Sequence, residues 1–329
     1  MRILILALLI LFTNSAVAKK WPVWPQIQIV DPKLGWSISQ KNIVGSTSRV
    51  ELYGGQDPFP FCASFAASIL HDQHECMTNK TSCQQQPRTS ALSLVMASQG
   101  GTNKINWNSG GEAIQALHKI VLQGGAAAHS KCNYDFITDR RNSKNSEFSK
   151  LYGIYNSYRT LEKWGGYLTR YWRDEFILDS KSLGLPTPDI SDLVSKKFNT
   201  VEALTTALIL NPDCDVVSIY SSKKYQINSV KNPSMNIELV YNQINKLLKL
   251  NTPIMLNLCL NAHVGFTACS KHTLVITAQG SAMNKTTGDV RTAYKIANTW
   301  GEDWHKAHND GWVFADTLLE GVYEIIWLE

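Results

Sequence analysis

After its first eighteen residues this chain has no apolar run long enough to cross a bilayer, and it has no internal repeat and no low-complexity tract. Those absences argue against a later membrane span, a repeat array and a disordered scaffold. A large excess of one charge is missing too. The formal net charge is +5 and falls by one if Arg2 leaves with the leader, too mild a balance to imply nucleic acid or a membrane surface as partner. Metal-ligand spacing is sparse: His71 and His74 sit at i, i+3, with no third or fourth ligand at usual zinc spacing. They read as solvated histidines near a helix end, and neither a metal nor a cofactor is expected.

What remains is a globular composition, 44% hydrophobic and 18% charged, long enough for one large domain or two lobes around a cleft. Met1–Ala18 has a charged start at Arg2, an apolar stretch Ile3–Phe12 and a small-residue Ala16-Val17-Ala18 cleavage site. It reads as a signal peptide, so the expected location is secreted, periplasmic or a lysosome-like exported compartment. Seven cysteines suit that oxidising setting. Setting Cys62 aside leaves Cys76, Cys83, Cys132, Cys214, Cys259 and Cys269, which allow fifteen connectivities. Short separations suggest Cys76–Cys83 and Cys259–Cys269, with Cys132–Cys214 remaining.

The stretch with most chemical content is Gly55-Gln56-Asp57-Pro58-Phe59-Pro60-Phe61-Cys62. From Cys62 the apolar positions Phe65, Ala66, Ile69 and Leu70 recur at helical spacing, an amphipathic helix with cysteine as its first residue. A helix N-terminus stabilises a thiolate through its macrodipole and unpaired N–H groups. Gln56 and the Cys62 N–H could together form an oxyanion hole. A buried core cysteine is the bland alternative. Two later segments weigh against it. His272 heads the strand-like run Thr273-Leu274-Val275-Ile276, and Asn298 ends another strand in Asn298-Thr299-Trp300-Gly301. Cysteine, histidine and asparagine are what a thiol nucleophile needs: a base for its proton and an acceptor that fixes the base.

In this order Gln56, Cys62, His272 and Asn298-Thr299-Trp300-Gly301 resemble the papain family of cysteine peptidases. The resemblance covers residues 50–329 and implies an α+β, papain-like two-lobe fold. A helical lobe and a barrel-like antiparallel β lobe would flank an active-site cleft. It implies Cys62, His272, Asn298 and Gln56 as catalytic residues. Asn108-Ser109-Gly110-Gly111 looks like the segment that pairs with an extended substrate, making Gly110 and Gly111 substrate-binding. Trp300 would resemble the tryptophan that shields the His–Asn hydrogen bond. Pro60 and Phe61 stand where the family has Gly-Ser, and Ala63 where it has Trp; a reshaped first substrate pocket follows.

The expected activity is peptide-bond hydrolysis on a peptide or protein substrate, through a Cys62 thiolate paired with protonated His272. A weakly catalytic binding scaffold for peptide or glycan, and a thiol transpeptidase or amidase on the same fold, remain as alternatives. Oligomeric state is not legible.

Along the chain, residues 19–50 read as an N-terminal arm too short to resemble the family's inhibitory pro-segment, and 51–329 as the catalytic domain. The 210-residue step from Cys62 to His272 exceeds the family's roughly 130–150. The excess predicts an insertion at about 126–233, whose Tyr152, Tyr155, Tyr158, Trp164, Tyr167, Tyr171 and Trp172 suggest a helix packing one aromatic face. A lid presenting those aromatics is the sharper alternative. Helices are expected at 88–97, 111–122 and 237–250, and strands at 254–260, 272–278, 293–299, 311–315 and 322–328. A hairpin extended at Ser281–Asp289 would account for the long His272-to-Asn298 spacing. His263, His305 and His308 read as surface residues. Asn79-Lys80-Thr81 and Asn284-Lys285-Thr286 are glycosylation sequons.

Overall fold

The computed structural model describes residues 27–43, 60–78, 89–98, 111–123, 153–160, 225–232, 236–260 and 270–329, with single positions 162, 200, 205 and 234. The leader, Gln56, Gly110, Asn79, His263 and most of the expected insertion lie outside the described residues. Tyr155 and Tyr158 fall within a described helical stretch at 153–160, and both are buried, as the packed-aromatic reading requires.

The chain is α+β. Helices α1 (Cys62–Thr78), α2 (Ala91–Ser98) and α3 (Ala113–Gln123) precede a largely β half. That half holds α4 (Ile237–Lys249), α5 (Glu302–Ala307) and α6 (Ala315–Leu319). Its strands are β2 (Ile227–Lys231), β3 (Ile254–Cys259), β4 (Lys271–Asn284), β5 (Val290–Ala297), β6 (Trp312–Phe314) and β7 (Val322–Leu328). With β1 (Trp36–Ile43) they form one seven-stranded antiparallel sheet, ordered β2-β7-β3-β4-β5-β6, β1 also pairing with β4.

The sheet is apolar on both faces, and strand alternation divides its residues between two layers. Met255, Val275, Ala297, Ile326 and Leu328 pack with Ala63, Ala66, Ile69 and Leu70 of α1 and with α2 and α3. Their neighbours Leu256, Leu274, Ile276, Ile296 and Ile325 pack with Val240, Ile244 and Leu247 of α4 and Leu318 of α6. Helix α4 shows why the sequence was readable here. Its buried residues recur at i, i+4 and i+7, and the Asn236 side chain caps it by accepting from the Leu239 N–H at 3.2 Å.

Helix α1 corrects an expectation. The amphipathic reading gives it one apolar face, yet every residue from Ala63 to Cys76 is buried, because α2, α3 and the sheet all pack against it. His71 and His74 are therefore not solvated. The Thr89 hydroxyl donates to Asp72 Oδ1 at 2.6 Å, so its oxygen accepts from His71 Nδ1–H at 2.8 Å. Burial holds the His71 pKa down to about 3, keeping the ring neutral. Among the described cysteines Cys62 is the free one, while Cys76 and Cys259 are disulfide-bonded.

The extended hairpin is present: β4 runs out to Asn284 and β5 begins at Val290. On the edge of β4 where β3 stops, β1 takes over, Ile43 opposite Ala278 through Trp36 opposite Asn284. The N-terminal arm thus covers backbone that would otherwise be an open edge. Ahead of β1, the Val30 N–H donates to the Trp312 carbonyl and the Phe314 N–H to the Gln28 carbonyl, and Ile27 and Val30 are buried. Asn284 Nδ2 donates to the Leu34 carbonyl, and its Oδ1 accepts from Thr286 N–H at 2.8 Å. That sequon asparagine is buried and engaged in the turn rather than offered to solvent.

Candidate active site

Cys62 is the first residue of α1, partly buried, with the Phe65 N–H closing the first turn onto the Phe61 carbonyl. His272 stands near the start of β4 and Asn298 follows directly after β5, so one hairpin carries both. His272 Nε2 and Asn298 Oδ1 are 2.8 Å apart, both residues almost fully buried. With the asparagine oxygen facing the ring, Nε2 carries the proton and donates. Nδ1 of the neutral imidazole is then the basic nitrogen. The Trp300 ring lies 4.9 Å from the imidazole, tilted by 36°.

Cys62 and His272 line one cleft of about 660 Å³. Its walls come from the helical side, through Pro60, Ala63, Gly111 and Glu112, and from the sheet, through Asn257, Thr273, Tyr323 and Glu324. Of the expected substrate-contacting residues, Pro60, Gly111 and Trp300 are on this cleft. Phe61 is not. It is fully buried.

Electrostatics favour a neutral pair rather than the expected thiolate–imidazolium. Burial pushes the Cys62 thiol up, and hydrogen bonds from the Thr273 backbone and hydroxyl pull partly against it. Burial pulls His272 down to about 4, opposed by its bond to Asn298. Tyr323 is pushed up to about 12, first by burial and then by the neighbouring Glu324. It meets the cleft as a neutral phenol.

Behind the pair is a residue the sequence reading placed at the surface. His305 is buried, and its Nε2 lies 3.2 Å from the Asn298 backbone nitrogen and 3.1 Å from its carbonyl. His308, also read as surface, is half-buried and stacks on Trp304 at 4.4 Å. Gly311 makes room for His305: at φ +80, an added Cβ would lie 2.5 Å from the Ile296 carbonyl and 2.8 Å from His305 Nδ1. Gly311→Ala is expected to cost on the order of 2 kcal/mol. The check is a lowered urea midpoint, and a midpoint equal to that of the parent would contradict this packing.

Asn257, Thr273 and Glu324 are site residues that sequence reasoning missed. Each is a polar position on the strand alternation phase that faces α1. That phase is the signal that could have found them.

No protein-family model matches the chain, and no curated protein matches it. Among solved structures, SERA5E from Plasmodium falciparum matches at 10% identity and a TM-score of 0.46, over 85% of this chain and 91% of that one. Xylellain, a cysteine protease from Xylella fastidiosa, matches at 10% identity and a TM-score of 0.45, over 89% and 87%. The bromelain protease from Ananas comosus in complex with the E64 inhibitor matches at 11% identity and a TM-score of 0.40, over 88% and 99%. Over most of its length, and at low sequence identity, this chain is similar to papain-like cysteine proteases.

Proposed function

We propose that this chain is an exported cysteine peptidase that hydrolyses peptide bonds through a thioester on Cys62. The observation that carries the reading is the 2.8 Å bond between His272 Nε2 and Asn298 Oδ1, on a cleft shared with a cysteine that opens a helix. With Nε2 committed to Asn298, proton exchange with the thiol runs through Nδ1. The thiol proton passes to His272 as the sulfur attacks the substrate carbonyl carbon. The resulting oxyanion lies where the Cys62 N–H and the α1 N-terminus stabilise negative charge, and Gln56 is proposed as the second donor. Protonated His272 gives its proton to the leaving amine. It then takes one from water, which hydrolyses the thioester. Export is supported by the character of Met1–Ala18 and by the disulfide-bonded Cys76 and Cys259.

A second reading, a weakly catalytic binding scaffold, is favoured by the upward push on Cys62 and the downward pull on His272. Intact-mass labelling with a thiol-directed epoxide peptide at mildly acidic pH separates the two, with Cys62→Ala as control. The peptidase reading expects one adduct, mapping to Cys62 and absent from the variant. Folded, reduced protein that forms no adduct would give the scaffold reading precedence.

A further inference from the structure

Asn298 has left the sheet. The β4–β5 ladder closes with Val275 opposite Ala297, and Asn298 lies between β5 and α5. Its side chain is held at one point. Oδ1 accepts from His272 Nε2–H at 2.8 Å, while Nδ2 is buried with no hydrogen-bond partner among the described residues. Its backbone N–H and carbonyl both face a single atom, His305 Nε2, at 3.2 Å and 3.1 Å. One hydrogen bond leaves a side-chain amide free to swing about that bond. The direction in which Asn298 presents Oδ1 is therefore set by its backbone, and outside the ladder that backbone is held by His305.

The His305 ring is itself well fixed. Burial holds its pKa below the ordinary imidazole value, against the raising effect of Asn298 and Asp310, so the ring is neutral. Either neutral tautomer suits the place: a bare Nε2 accepts from the Asn298 N–H, and a protonated Nε2 donates to the Asn298 carbonyl. Nδ1 has no hydrogen-bond partner among the described residues, so the ring's hydrogen bonding all goes to Asn298. The ring stands edge-on to Trp304 at 5.2 Å, and the Gly311 backbone leaves no space beyond Nδ1 for even a methyl group. Trp304 in turn meets Trp300 edge-on at 6.1 Å, and Trp300 lies 4.9 Å from His272. The contacts close on themselves, from His272 through Asn298, His305, Trp304 and Trp300 back to His272. We propose that His305 is a positioning residue for the reaction, its Nε2 clamping the Asn298 backbone so that Oδ1 stays on His272 and the basic lone pair stays on Nδ1. Two adjacent residues of α5 thus grip the catalytic pair from both ends, His305 through Asn298 and Trp304 through Trp300.

The inference rests on the peptidase reading of this site, and a spectroscopic readout lets either fail alone. In the full chain carrying isotope-labelled histidine, the buried His272 Nε2 proton gives a slowly exchanging imidazole N–H resonance, identified by its loss in Asn298→Ala. No peptide is needed to see it. In His305→Leu, which removes both ring nitrogens, the resonance is expected to broaden away by exchange with water. In the same variant kcat for an unstructured peptide is expected to fall on the order of tenfold to a hundredfold, with KM little changed. His305→Gln puts an amide where Nε2 stood and is expected to restore the resonance and most of kcat. His305→Asn, one bond shorter, is expected to restore neither. Circular dichroism verifies folding, and the glutamine–asparagine comparison decides the matter should the leucine variant not fold. A folded His305→Leu chain that keeps the parent resonance would overturn the proposal. So would equal behaviour of the glutamine and asparagine variants, which would assign His305 to packing alone. A parent that shows the expected resonances but cleaves no peptide would instead sink the peptidase reading and leave the clamp standing.

Discussion

His272→Ala is expected to lower kcat for peptide hydrolysis on the order of 10³-fold while changing KM little, because it removes the group that moves every proton in the reaction. The measurement is steady-state kinetics on an unstructured peptide, alongside circular dichroism to verify folding. A variant within tenfold of the parent kcat would eliminate His272 as the base. The parent's pH profile carries a second signature of the same group. A free imidazole is half-protonated near 6.5, but burial lowers His272 to about 4. The neutral ring is the base, so kcat/KM is expected to persist as pH falls through 6 and to drop as it passes about 4. An acid limb centred near 6.5 would mean that His272 is solvated in the working enzyme.

Deleting residues 1–43 is expected to abolish the cooperative unfolding transition rather than merely shift it. The deletion strips β1 from β4, leaving the outer half of a long strand without a partner on one edge. It also removes buried Ile27 and Val30, each contributing about 1.5–3 kcal/mol. Trp36 leaves with them, edge-on to Phe314 at 4.7 Å, and the Arg291 guanidinium over Phe314 loses that neighbour. Against a typical total of about 5–15 kcal/mol these losses exceed what a domain spares. Urea titration followed by tryptophan fluorescence is the readout. Val30→Ala, a graded version, is expected to cost about 2 kcal/mol. A truncated chain that unfolds cooperatively at the parent's midpoint would show that the arm is an accessory.

The two predictions draw on parts of the molecule that differed in legibility. Helix α4 and strand β7 were readable to within a residue, because a cap, a charge gradient or an apolar run marks each end. The hairpin's excess length was readable from the 26-residue step between His272 and Asn298. Its cover was not. The Trp36–Asn284 pairing joins segments nearly 250 residues apart, and nothing local to either announces the other. Helix α1 was misread for a different reason. Periodicity reports which face is apolar, whereas burial of His71 and Asp72 depends on a partner outside the helix, Thr89, bonding to both. His305 escaped likewise, being placed by Asn298 and by the space left at Gly311.

The long hairpin also has a mechanical consequence. Its tip is bonded to β1, from Trp36 opposite Asn284 to Ile43 opposite Ala278, and its root carries His272 on β4 and Asn298 just past β5. A pull along the strand axis at Trp36 loads the β1–β4 ladder in shear, with many hydrogen bonds sharing the force. The load path then runs down β4 to the imidazole. A molecule tethered by its N-terminal side delivers tension to the hairpin that carries His272 and Asn298.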